Sequence, residues 1–303
     1  MGKALAETFP EAAALFERAG AILGGDFLDT LFSADAERLS ETRVAQPAVF
    51  VVSMAAAESL RSLGANPCGV AGHSLGEYSA LVAAGTLSFE DGLKVVRERA
   101  RLMADCAART KGGMVAILGM EHAELKSLVE ETAQECPVEI ANINSPEQIV
   151  VTGREECAER FSEVARERGA RKAVRLKVSG AFHSALMSPV SEALARTFEK
   201  YRFSAPRVPF VSNVTADFVR EPSEIKRLLV EHVCRPVLWE ASMRRFIEAG
   251  HSLFVEVGPG RVLRGLMKRI DPSVRVLSAG QPDAVRESAQ EILRLGCQNG
   301  APS

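Results

Sequence analysis

The stretch GVAGHSLGEYSALVAAG, residues 69–85, ends a short apolar run, sets Ser74 between two glycines and opens an alanine-rich segment. A strand, then G-H-S-L-G, then a helix is the layout of a nucleophile elbow, a sharp turn that exposes a serine hydroxyl at the carboxyl end of a strand. Glycines at 72 and 76 suit such a turn, because it brings backbone atoms together and forces conformations that a β-carbon opposes. In that geometry the amide of Leu75 points to where an oxyanion would form. The same pentapeptide also fits a helix N-cap serine after a glycine turn, so by itself it leaves both readings open.

A serine nucleophile needs a base, and the chain holds five histidines, at 73, 122, 183, 232 and 251. His122 falls in a charged helical segment, His232 and His251 lie in polar surroundings near helix ends, and His73 adjoins the serine with its ring directed away. His183 differs. It stands in SGAFHSALM, after a strand and before a helix opening near Ser188 and Pro189, where loops gather in open α/β sheets. A helix N-terminus nearby disfavours the imidazolium and keeps the ring neutral, as a general base must be.

Working outward, residues 74–85 suit a helix, and Ser88 followed by Asp91 has the spacing of a capping box that opens another. In that second helix Phe89, Leu93, Val96, Ala100 and Met103 recur at intervals of four and three, forming one stripe toward a core. Arg97 and Arg99 flank the stripe on opposite sides, and periodicity allows either to reach into a site. From about Gly113 the texture shortens to a strand (114–118), a helix (122–134), two strands (138–143 and 148–153) around the turn NSPE, a helix (155–169) and a strand (173–178). Strand, helix, strand, strand, helix, strand is the ferredoxin-like order. Residues 110–178 are therefore read as an inserted α+β subdomain, and residues 1–109 with 179–303 as one discontinuous α/β domain. Strands at 208–214 and 253–258, a helix at 222–234 and a final strand and helix beyond 273 complete that domain.

A chain of 303 residues is long enough for this organisation, and 47% hydrophobic with 25% charged residues is an ordinary globular profile. A formal net charge of −2, with basic and acidic residues interleaved, supplies no field to attract nucleic acid. No apolar stretch reaches bilayer-spanning length and no signal-peptide layout opens the chain, so no membrane association and a cytoplasmic location are expected. Cysteines at 68, 106, 136, 157, 234 and 297 form no C-x-x-C pair or His/Cys cluster. Neither a metal site nor a disulfide framework is indicated, and reduced, mostly buried thiols are expected. Only the tail QNGAPS, residues 298–303, reads as disordered.

These segments together resemble the malonyl-CoA:acyl carrier protein transacylases and the related acyltransferase domains of polyketide synthases. The resemblance is carried, in order, by TRVAQPAVF, GVAGHSLGEYSALVAAG, VVRERARLM, GGMVAILG, NINSPEQIVVTG, GAFHSALM, RPVLWE and FVEVGPGRVL. It implies an α/β-hydrolase-like core with a parallel sheet plus a ferredoxin-like insert, Ser74 as the acylated nucleophile and His183 as its base. It further implies that a main-chain carbonyl orients the histidine, assigned here to Leu238, where many relatives carry glutamine. Arg99 matches the arginine that pairs with the free malonyl carboxylate, Leu75 the oxyanion amide, and Gln46 and Asn144 further substrate-binding positions. A planar guanidinium grips a carboxylate through two parallel hydrogen bonds. An acetyl group would leave it buried and unpaired, on the order of 3–5 kcal/mol worse.

The resemblance implies malonyl-CoA and acyl carrier protein as partners, ping-pong transfer through a malonyl-serine, no metal or cofactor, and a monomer serving fatty acid or polyketide synthesis. Relatives open with a strand and a turn of the type F-P-G-Q-G-S-Q, whose glutamine contributes a second oxyanion amide, whereas MGKALAETFPEAAALFERA matches the helical segment downstream of that turn. The reading favoured by the presence of Ser74, Arg99 and His183 is a start codon upstream of this methionine. The rival functions are an acyl-thioester hydrolase on the same Ser/His site and a catalytically impaired module that binds carrier protein.

Overall fold

The computed structural model describes residues 1–178 and 180–296. The first half contains α1 (Lys3–Thr8), α2 (Pro10–Leu23), α3 (Asp26–Ser33), α4 (Ala36–Ser40), α5 (Thr42–Ser62), α6 (Gly76–Ala83) and α7 (Phe89–Thr110). Next come β1 (Gly112–Leu118), α8 (His122–Ala133), β2 (Val138–Ser145), β3 (Gln148–Arg154), α9 (Glu155–Glu167) and β4 (Lys172–Arg175). A 3-10 turn (Ala185–Met187) then leads into α10 (Ser188–Phe198), α11 (Pro222–His232), α12 (Trp239–Glu248), β5 (Leu253–Val257), α13 (Val262–Ile270), β6 (Arg275–Ala279) and α14 (Pro282–Gly296). The fold class is α/β with mixed sheets, as expected.

The long helix α7 forms for the reasons its sequence suggests. Ser88 caps it, its hydroxyl accepting from the Asp91 amide at 3.1 Å, and the stripe Phe89, Leu93, Val96, Ala100 and Met103 is buried throughout. Phe89, Leu93, Val96 and Met103 of that stripe share the main core with Phe50, Val51, Met54 and Ala55 of α5. Of the two flanking arginines, Arg97 donates to the Ile22 carbonyl from an exposed position, while Arg99 is 1% exposed.

Strands β1 to β4 form one antiparallel sheet in the order β2-β3-β1-β4. Successive side chains of a strand point to opposite faces, and β1 is buried on both. Val115 and Ile117 join Leu125 and Leu128 of α8 and Phe161 of α9 in a core of their own. Met114 and Ala116 face the main core instead. This accounts for the unbroken apolar run MVAIL, since a strand covered on both faces need not alternate with polar residues.

Three expectations change. The strand read at 173–178 is β4, which ends at Arg175, because the Leu176 amide still reaches the Met114 carbonyl but Val178 turns back onto Leu176. The parallel pairing is a ladder of β5 with β6, and residues 69–72 and 208–214 contribute a single parallel bridge, Val70 to Phe210. Pro67 and Pro209, which have no amide hydrogen, and the turn that begins at Gly72 leave little room for a longer ladder there. Finally, Cys136 and Cys157 are joined in a disulfide, with Cα atoms 5.3 Å apart. Cys136 follows α8 and Cys157 opens α9, and packing of both helices on one face of the sheet brings together two residues 21 apart. Cys106 is buried, Cys234 half-buried and Cys68 exposed. Cys297 and the tail 298–303 lie outside the described residues. Among the described residues no helix is long and apolar enough to cross a membrane.

Because the Ser88 cap satisfies an orphan amide at the start of α7, Ser88→Ala is expected to destabilise the fold by about 0.5–2 kcal/mol. Urea unfolding checks this as a lower midpoint at unchanged slope.

Candidate active site

The turn at residues 72–76 is set by backbone contact. A β-carbon on Gly72 would lie 1.9 Å from the Gly76 carbonyl group and 2.4 Å from the Glu77 amide nitrogen, so only glycine fits. Gly76 differs from expectation, because a β-carbon there would meet nothing within 4 Å. Beyond Gly72 the chain carries Ser74 at φ 50°, a left-handed conformation costing a non-glycine residue about 1–3 kcal/mol. Asn213 holds it in place. Its Oδ1 accepts from the Ser74 amide at 2.8 Å, and its Nδ2 donates to the Gly72 carbonyl at 2.8 Å. The Leu75 amide has no acceptor among the described residues, which leaves it available to a ligand oxygen.

His183, in the loop before the 3-10 turn, also has a left-handed backbone, φ 59°. Its Nε2 is 2.8 Å from Ser74 Oγ, and its Nδ1 is 2.8 Å from the carbonyl oxygen of His232. A carbonyl only accepts, so the proton sits on Nδ1, and Nε2 presents its lone pair to the serine hydroxyl. Burial holds the imidazole pKa well below its ordinary value, with His232 and Arg99 adding to the effect. The ring is neutral and oriented as a base.

The family resemblance assigns the orienting carbonyl to Leu238, and the structure corrects this. The Leu238 carbonyl sits at the start of α12 and accepts from the amide and the hydroxyl of Ser242. The C-terminal residue of α11 is the one facing His183: past the helix end its carbonyl meets only the Arg235 amide, at 3.4 Å, and has a lone pair left for the imidazole at 2.8 Å. His232, expected in polar surroundings, is fully buried, and its ring lies 4.9 Å from that of His183.

Arg99 reaches the serine from α7. Its Nη2 donates to Ser74 Oγ at 3.1 Å and its Nη1 to Gln46 Oε1 at 2.6 Å. Its Nε, also buried, has no acceptor among the described residues. No carboxylate forms an ion pair with it among those residues, and the ring of Tyr78 lies 5.6 Å from its guanidinium carbon. Burial lowers the Arg99 pKa and pushes that of the Tyr78 hydroxyl up to about 12, so the tyrosine is neutral and the guanidinium keeps its charge. Asn144 stands beside this cluster: its Oδ1 is 2.7 Å from His73 Nε2 and its Nδ2 donates to Gln148 Oε1 at 3.0 Å. Among the described residues, no group of three or more His, Cys, Asp or Glu is arranged to hold a metal ion.

Residues 1–292 match the acyl transferase domain family. The chain is 40% identical over 293 residues to the malonyl CoA-acyl carrier protein transacylase of Bacillus subtilis (strain 168), covering 96% of this chain and 92% of the relative. The chain belongs to the malonyl-CoA:acyl carrier protein transacylase family. Among solved structures of the family, the transacylase of Coxiella burnetii superposes with a TM-score of 0.93 at 33% identity, over 96% of this chain and 93% of that one. A malonyl-transacylase solved in complex with its type II polyketide acyl-carrier protein gives 0.92 at 33% identity, over 96% and 94%. Sequence reading missed three residues of this cluster, Asn213, Glu77 and His232. The one available signal was Glu77, an acidic residue in the apolar run EYSALVAAG.

Two outcomes are expected. Gly72→Ala abolishes the folded turn and any chemistry at Ser74, whereas Gly76→Ala leaves the melting temperature the same or raises it, as thermal unfolding of both variants reads out. With the His183 pKa lowered, the free enzyme keeps its base unprotonated as pH falls through 6.5, so the acid limb of kcat/KM lies below pH 6.5.

Proposed function

We propose that this chain transfers a malonyl group from malonyl-CoA to the phosphopantetheine thiol of acyl carrier protein, through a malonyl ester on Ser74. The observation that carries the reading is Arg99: a buried guanidinium without a carboxylate partner among the described residues, 3.1 Å from the hydroxyl that His183 also contacts. A buried unpaired cation is costly. An acyl group ending in a carboxylate offsets that cost with two charge-assisted hydrogen bonds, and an acetyl group does not. Gln46 holds the guanidinium from the other side, and Asn144 contacts the His73 ring next to the nucleophile.

In the first half-reaction Ser74 Oγ attacks the thioester carbonyl while its proton passes to His183 Nε2. The tetrahedral oxyanion faces the Leu75 amide, a contact whose loss in comparable sites costs about 10²–10³ in rate. Collapse breaks the carbon–sulfur bond, and the CoA sulfur takes the proton from the imidazolium. The carrier's thiol then gives its proton to the same Nε2 and attacks the malonyl ester, returning the proton and the hydroxyl to Ser74. Throughout, the His232 carbonyl accepts from Nδ1 and stabilises the ring when charged.

The architecture supports the same reading in finer detail. The β2-β3-β1-β4 order with two helices on one face supports a ferredoxin-like insert at 110–178. The elbow turn and the parallel β5–β6 pair support an α/β-hydrolase-like domain built from 1–109 and 179–303. A substrate pair of malonyl-CoA and acyl carrier protein suits an enzyme of the cytoplasm.

Intact mass after brief exposure to malonyl-CoA tests the proposal. A malonyl-sized increment is expected, absent in Ser74→Ala and absent with acetyl-CoA. Arg99→Ala is expected to slow malonyl loading by about 10- to 100-fold, the worth of a charge-assisted hydrogen bond. CoA release without acylation of added carrier protein would make the chain a hydrolase instead, and no adduct with no CoA release would overturn the reading.

A further inference from the structure

Glu77 has no role in the chemistry above, yet it is 1% exposed in an eight-residue helix whose other residues are Gly, Tyr, Ser, Ala, Leu and Val. A carboxylate in the first turn of a helix complements the dipole equally well from the surface. Burial requires specific partners: Oε1 of Glu77 has a hydrogen-bond donor, while Oε2 has a close neighbour but no hydrogen bond among the described residues. Oε1 accepts from the Asn213 amide at 2.8 Å, and Oε2 lies 2.7 Å from Nδ1 of the fully buried His232 ring.

Each partner leads to one half of the Ser/His pair. Asn213 brackets the turn, holding the Ser74 amide and the Gly72 carbonyl with its side chain. His232 supplies the carbonyl that accepts from His183 Nδ1, so fixing its ring also fixes the peptide group that orients the base. Glu77 itself forms no hydrogen bond or ion pair with Ser74 Oγ or the His183 ring among the described residues.

We propose that Glu77 is the positioning residue of this site, a single buried carboxylate that sets the serine turn through Asn213 and the base's orienting carbonyl through His232. The inference rests on the transferase reading above. It adds that the distance between hydroxyl and imidazole depends on a charge behind both. Rates of oriented reactions fall by about 10²-fold for a misplacement near 1 Å, so the effect belongs in kcat. Arg99 also feels the Glu77 charge, but a loss acting through Arg99 would weaken the hold on the malonyl carboxylate and raise KM.

The test uses the full chain with Glu77→Gln, His232→Gln and the double variant, read by steady-state kinetics with malonyl-CoA and carrier protein and by imidazole nitrogen-15 NMR. Glu77→Gln keeps the shape and one oxygen for Asn213 but removes the charge facing His232. Its kcat is expected to fall about 10- to 100-fold, with KM for malonyl-CoA within about twofold of wild type. The His183 nitrogen shifts are expected to move from one Nδ1-protonated tautomer toward a mixture. In the double variant two amides can hydrogen-bond in place of the Glu77–His232 contact, so at least about tenfold of the loss is expected to return. A kcat for Glu77→Gln within twofold of wild type, or additive losses with no recovery, would overturn the proposal. If Glu77→Gln does not fold, His232→Gln decides: it keeps the main-chain carbonyl, and an unchanged kcat and tautomer would overturn the proposal. Should wild type take no malonyl group, the transferase reading fails, while the tautomer readout still judges the role of Glu77.

Discussion

With only a hydrogen where Gly72 would carry a β-carbon, the chain folds back until the start of α6 lies against the residue before the turn. That contact forces Ser74 into a left-handed backbone, which turns its hydroxyl toward α7 and the loop carrying His183 instead of into the helix. The strain is held by bonds from a distant segment, since Asn213 grips the turn on both sides of His73. Without that brace the backbone would relax toward an ordinary helix start, and the hydroxyl would serve as a cap.

Electrostatics around the turn follow from burial. Arg99, Glu77, His183 and His232 are all within 3% of full burial, so electrostatic interactions among these groups act at close range and little screened by water. The outcome is an ordered set of states: Tyr78 neutral, His183 neutral with its lone pair on the serine, and Arg99 charged and short of one anion. The exposed ion pairs elsewhere, such as Arg227 with Glu224 and Glu231, contribute little by comparison because solvent screens them. The positive charge of Arg99 is thus desolvated and, among the described residues, without a carboxylate partner, which is the feature on which the proposed malonyl selectivity rests.

Much of this was legible in the chain itself. The G-H-S-L-G turn, the capped helix from Ser88 and the stripe that lets Arg99 point inward are local patterns, as is the strand and helix order of residues 112–175. Less legible were contacts between distant segments. His183 receives its orientation from a carbonyl 49 residues away, and no side-chain pattern distinguishes the backbone of His232 from that of Leu238. The disulfide between Cys136 and Cys157 was hidden likewise, since a spacing of 21 residues carries no signal until two helices pack side by side.

The sequence by itself determined which elements form around Ser74, Arg99 and His183, because apolar periodicity, capping and turn chemistry act over a few residues. Only the tertiary structure decided that Gly72 and not Gly76 is sterically required, that Arg99 faces no carboxylate of its own among the described residues, and that Glu77 stands behind both Ser74 and His183. These are questions of distance between segments far apart in the chain, and such distances exist only once the core has packed.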